Sequence, residues 1–127
     1  MKTLESANLA RKERTSVLEA TQALKPGLPV TRVILFGSKA RGTGEPDSDI
    51  DLLVLTSCPV SGKVRTAISD RLAGINLQND VSLTSLVVSE QEWSSGLIHY
   101  TLIHDEVERD GCEIGPIGCF SIPSTGS

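Results

Sequence analysis

Aromatic residues are scarce in this 127-residue chain, where Phe, Trp and Tyr together make up 3%. The hydrophobic share is 39%, so a core can form, but it must be mostly aliphatic and sized for one domain. No stretch approaches the ~18 consecutive apolar residues of a membrane span, and Met1 to Ala10 lacks the apolar run of a secretion signal. Basic charge is also short. Twelve Lys and Arg against 16 Asp and Glu leave a net charge of −4, which disfavours a protein that grips long nucleic acid through clustered cations. Cys58, Cys112 and Cys119 are odd in number and read as reduced intracellular thiols, not as a disulfide framework. No histidine lies near Cys112 and Cys119 in sequence, so the spacing of a zinc site is missing. His99 and His104 are five apart, on different faces of a helix, and read as surface or partly buried side chains. What remains is a cytoplasmic domain acting on a small molecule, a nucleotide or a protein side chain.

Against this background one stretch stands out. Val33-Ile34-Leu35-Phe36 is a short apolar run ending at Gly37, the pattern of a strand buried on both faces. Glycine has no Cβ, so a phosphate could approach the backbone at Gly37, and Ser38 adds a hydroxyl there. After ten intervening residues, Pro46-Asp47-Ser48 reads as a turn and Asp49-Ile50-Asp51-Leu52-Leu53-Val54-Leu55 as a strand. Side chains alternate along a strand, so Asp49 and Asp51 point the same way. Two ionised carboxylates side by side on an apolar strand call for a compensating cation or proton. Mg²⁺ suits them, because it is commonly held by one or two carboxylates together with substrate phosphates. Taken alone, an Asp-x-Asp pair would also suit a solvated strand face, and Gly-Ser only a turn. Their combination with Ala40-Arg41-Gly42 between two apolar runs is much harder to reach by accident.

Gly37-Ser38, ten residues, then Asp49-Ile50-Asp51 resembles the signature of the minimal nucleotidyltransferases of the DNA polymerase beta superfamily. The likeness extends over roughly residues 15 to 111. It implies an α/β (α+β) domain, a small mixed central sheet with helices packed on it. It further implies transfer of a nucleoside monophosphate, most often AMP from ATP, to a hydroxyl. Gly37 and Ser38 would then hold the triphosphate, and Asp49 and Asp51 one or two Mg²⁺ ions. Lys39 and Arg41 lie in the first turn after Gly37-Ser38, where one or both would neutralise triphosphate charge or would form a solvent-facing helix start. Stand-alone members of this family are often encoded beside a small helical nucleotide-binding protein, and some act as antitoxins that adenylylate it. The alternative class is a binding module of the same fold that senses a nucleotide or sequesters a partner.

Family members usually supply a third carboxylate from a later strand as general base. In the run Asp80 to Val88 that position falls on Ser82. Asp80, two residues earlier, would share the face of Ser82 in a regular strand, about 7 Å away at ~3.3 Å per residue. Either Asp80 is the third acid in a different register, or the site has two acids.

Elsewhere, Thr15 to Leu24 suits an amphipathic helix stopped by Pro26-Gly27, with Arg11-Lys12-Glu13-Arg14 as a solvated face. A second helix is predicted over Ser61 to Gly74, and Ser89-Glu90-Gln91-Glu92 reads as a capped helix start. A last helix is predicted from Leu97 to Arg109, stopping at Gly111. The domain is expected to span 1–111, with residues 112–127 as a flexible tail rich in Gly, Pro, Ser and Thr.

Overall fold

The structure is a computed structural model that describes residues 2–3, 7, 9–45 and 48–114. Its elements in chain order are β1 (Lys2–Thr3), α1 (Arg11–Ala23), β2 (Val30–Phe36), α2 (Ser38–Arg41), β3 (Ile50–Thr56) and α3 (Gly62–Asn79). Then follow β4 (Leu83–Ser89), α4 (Glu90–Ser95), a 3₁₀ turn (Leu97–Tyr100), α5 (Leu102–Asp110) and β5 (Cys112–Ile114). The strands form one mixed sheet in the order β1-β5-β2-β3-β4. β2 runs antiparallel to β3 and to β5, whereas β3 and β4 are parallel, joined by α3 as the crossover helix.

β3 lies between β2 and β4, and its side chains are buried on both faces of the sheet. Alternation along the strands divides the core accordingly. Val33, Leu35, Leu52 and Val54 face Val17, Ala20 and Leu24 of the α1 segment and Ile68 and Leu72 of α3. Ile34, Leu53 and Leu55 face Trp93 of α4 and Val107 of α5. Each fully buried Leu or Ile contributes about 1.5–3 kcal/mol by leaving water, so this aliphatic sheet carries much of the stabilising burial.

Several expectations need correction. α1 begins at Arg11 rather than Thr15, and Glu13 within the basic run is buried, because its carboxylate caps the helix through Ala10 N at 2.9 Å. α3 continues past Gly74 to Asn79, beyond which Asp80 adopts φ 55° and closes it. The last predicted helix is broken in two. Thr101 is extended, and its side chain caps α5 at His104 N. His99 and His104 consequently lie on different elements, with ring nitrogens 3.2 Å apart. Residues 112–114, expected in the tail, form β5, which adds to the sheet by pairing Cys112 with Leu35 and Ile114 with Val33. The rest of the predicted tail, 115–127, and Pro46–Asp47 lie outside the described residues. Among the described residues, no helix is long and apolar enough to cross a membrane.

Candidate active site

The site forms where β2 ends and β3 begins. In the antiparallel ladder Phe36 is opposite Asp51, so the chain leaves β2 beside that carboxylate and must turn immediately. Gly37 makes the turn at φ 79°, a conformation that L side chains rarely adopt. Space gives a second reason for glycine. A Cβ at Gly37 would overlap Oδ2 of Asp51 and lie 3.2 Å from its Cγ. Ser38 then opens α2, a single turn closed by Gly42 at φ 80°, and the Ser38 carbonyl accepts Thr43 N at 3.0 Å.

Asp49 and Asp51 do share a face. The parallel register places Leu83 beside Ile50 and Thr84 beside Asp51, and the ladder extends back through Ile50 N to the Ser82 carbonyl at 2.8 Å. Ser82 Oγ donates to Asp49 Oδ1 and Thr84 Oγ1 to Asp51 Oδ1, each at 2.8 Å. The two aspartates thus stand in two matched rungs, each steadied by a hydroxyl from β4 or the residue leading into it. Asp51 is half-buried and Asp49 exposed, so the carboxylates open to solvent while their backbones belong to the sheet. Ser82, where the family pattern would have an acid, is the neighbour of Asp49.

The remaining predicted site residues are placed differently. Asp80 is not on β4. It is the left-handed C-cap of α3, a conformation that Asp tolerates better than most residues, and its fully exposed carboxylate lies 3.6 Å from Lys12 Nζ. β4 starts only at Leu83, whose backbone is bracketed by the Asn76 side chain through bonds of 2.8 and 3.2 Å. The structure therefore does not bring Asp80 onto the face of the aspartate pair. Lys39 is buried. Its ammonium meets Glu13 Oε2 at 2.8 Å and donates to the Glu45 carbonyl at 2.9 Å. Arg41 reaches across to α5 and pairs with Glu106 Oε2 at 2.7 Å. Both cations are engaged by protein carboxylates.

Three contributors escaped the sequence reading: Thr84, Glu13 and Glu106. Thr84 could have been found, since Ser82 and Thr84 repeat the period of Asp49 and Asp51. The two glutamates carry no local signal.

Among the described residues no group of three or more His, Cys, Asp and Glu is placed to hold a metal. Among the described residues the site offers two carboxylates, and that donor set matches a hard divalent ion completed by phosphate oxygens and water. A cleft of about 520 Å³ lined by Pro59, Arg65, Val88, Gln91 and Glu92 opens at the opposite ends of β3 and β4. Neither aspartate lines it.

Comparison with known proteins identifies the family. Residues 15–113 match the nucleotidyltransferase domain family. A Methanocaldococcus jannaschii protein provisionally named a protein adenylyltransferase is 31% identical over 83 residues, covering 65% of this chain and 77% of that protein. Among solved structures, a toxin–antitoxin bound to AMP-PNP superposes with a TM-score of 0.55 at 20% identity, covering 84% of this chain and 74% of that one. The MntA–HepT toxin–antitoxin gives 0.53 at 19% identity, with 81% and 72% covered. A complex of a tri-AMPylated Shewanella oneidensis HEPN toxin with its MNT antitoxin gives 0.51 at 18%, with 81% and 71% covered. By motif, by matched length and by fold, the chain belongs to the nucleotidyltransferase domain family and is a nucleotidyltransferase.

Proposed function

We propose that this protein transfers AMP from ATP to a hydroxyl of a partner protein, as the antitoxin of a toxin–antitoxin pair, in an Mg²⁺-dependent reaction in the cytoplasm. The observation that carries the reading is the pair Asp49 and Asp51, held side by side at the start of β3 beside the Gly37-Ser38 turn. The relative named for protein adenylylation supports the reaction. The toxin–antitoxin complexes, one with AMP-PNP and one with an AMPylated toxin, support the donor and the kind of partner.

In this reading the triphosphate lies against the Gly37-Ser38 turn, whose glycine has no Cβ and packs directly against the Asp51 carboxylate. Asp49 and Asp51 would hold one or two Mg²⁺ ions, which would supply positive charge to offset that of the phosphates. Ser82 and Thr84 keep the carboxylates in register. The acceptor oxygen attacks the α-phosphorus, the bond to pyrophosphate breaks, and the acceptor proton passes to water. A general base is worth ~10²- to 10⁴-fold, and the position expected to supply one is Ser82. A phenol, with pKa ~10, sheds its proton more readily than an aliphatic alcohol, so tyrosine is the better acceptor for such a site.

A second reading, a module of this fold that binds a nucleotide or a partner without turnover, is favoured by one observation, the hydroxyl of Ser82 in place of the third acid. Incubation with labelled ATP, Mg²⁺ and the product of the neighbouring gene separates the two. Label on the partner supports transfer. A tight complex without label supports the module.

A further inference from the structure

Lys39 follows Ser38 directly, a position from which a lysine would be expected to reach the triphosphate. Its surroundings assign it another task. The Lys39 and Glu13 side chains are 4% and 9% exposed, with Nζ and Oε2 2.8 Å apart, so this is a buried ion pair joining α2 to the start of α1. Glu13 Oε1 is meanwhile held by Ala10 N, which fixes the carboxylate from the other side.

The second partner of the ammonium is the Glu45 carbonyl at 2.9 Å. That same oxygen accepts Ser48 N at 3.0 Å and Ser48 Oγ at 2.9 Å, and the next residue is Asp49. Gly44 lies on the lysine stem, where an added Cβ would come 3.0 Å from Lys39 Cδ. One buried ammonium therefore links α1, α2 and the turn that delivers the first aspartate.

We infer that Lys39 is a positioning residue and not a phosphate ligand: paired with Glu13, it fixes the connection between α2 and β3 and so holds Asp49 level with Asp51. The inference rests on the proposed role of Asp49 and Asp51 as metal ligands. A misplacement of about 1 Å in a reacting constellation can lower turnover ~10²-fold, so the link matters well beyond its own contacts.

The test uses wild type, Lys39→Met and the neutral pair Glu13→Gln/Lys39→Met, in which the introduced amide retains an oxygen for the Ala10 cap. Amide exchange of Thr43 and Ser48 is followed by NMR, and binding of a non-hydrolysable ATP analogue is titrated against Mg²⁺. In Lys39→Met, Thr43 and Ser48 are expected to exchange at least about tenfold faster as the connection opens locally. The Mg²⁺ needed for half-maximal binding should rise by about tenfold, while affinity at saturating Mg²⁺ changes less than about threefold, since the phosphate contacts at Gly37-Ser38 remain. The neutral pair should regain the melting temperature but neither the exchange protection nor the Mg²⁺ response, because the Glu45 carbonyl is still not tied to α2 by the ammonium. Loss of nucleotide affinity with unchanged exchange at Thr43 and Ser48 would make Lys39 a phosphate ligand and overturn the inference. Full recovery in the neutral pair would also overturn it, leaving a purely structural ion pair. If wild type shows no Mg²⁺-dependent binding, the metal role of the aspartates fails, and the exchange comparison alone decides whether Lys39 fixes the connection.

Discussion

Two charged pairs lie close to each other in the fold and are treated in opposite ways. Lys39 and Glu13 are buried and neutralise one another, whereas Asp49 and Asp51 open to solvent, with Ser82 and Thr84 hydroxyls as their hydrogen-bond donors. Arg41, the other cation of the motif, is likewise paired with a carboxylate, Glu106. The contrast teaches where the site keeps uncompensated charge. Its cations are engaged in holding helices together, and its anions face outward, where an incoming metal ion and phosphates can meet them. On the proposed function, the buried pair sets geometry and the open pair meets the substrate.

Breaking the open pair should have the largest effect. Asp51→Asn removes a charge without changing shape, and losing several kcal/mol of metal-mediated stabilisation lowers turnover by about 10³-fold or more. Its melting temperature should stay close to wild type, and a steady-state rate assay with a thermal melt checks both. Ser82→Asp sharpens the comparison from the other side. If a carboxylate there can accept the acceptor proton, turnover rises by about 10²-fold, most of all with an aliphatic hydroxyl acceptor. An unchanged rate would show that the acceptor needs no base from this position.

Breaking the buried pair acts first on stability. Lys39→Met leaves Glu13 as an uncompensated buried charge, for which about 3–5 kcal/mol of destabilisation is expected from denaturant midpoints. The smallest effect belongs to Asp80→Asn. Asp80 is a fully exposed helix C-cap beside Lys12, away from the paired aspartates, so turnover should remain within about twofold of wild type. A large loss there would return Asp80 to the mechanism.

Much of the site could be read from local spacing. A strand, a glycine turn and an Asp-x-Asp repeat are all short-range patterns, and the sheet places Gly37 against Asp51 as that spacing implies. What escaped the reading was non-local. Thr84 meets Asp51 through the β3–β4 register, which joins residues 33 apart in the chain. Glu13 was hidden in a charged run, because its partner Lys39 lies on another helix. β5 is three residues long and exists by pairing with β2, reinforced by Arg32 Nη2 on Glu113 Oε1 at 2.8 Å. Asp80 was misplaced because one left-handed residue separates the end of α3 from the approach to β4, and Asp is a residue type that accepts either conformation.

The most direct test of the central claim is calorimetric binding of a non-hydrolysable ATP analogue, with and without Mg²⁺, to wild type and to Asp49→Asn/Asp51→Asn. If the aspartates hold the metal against the phosphates, Mg²⁺ should tighten binding to wild type by at least about tenfold and have little effect on the double variant. An equal Mg²⁺ dependence in both proteins would contradict the assignment of Asp49 and Asp51 as the metal site.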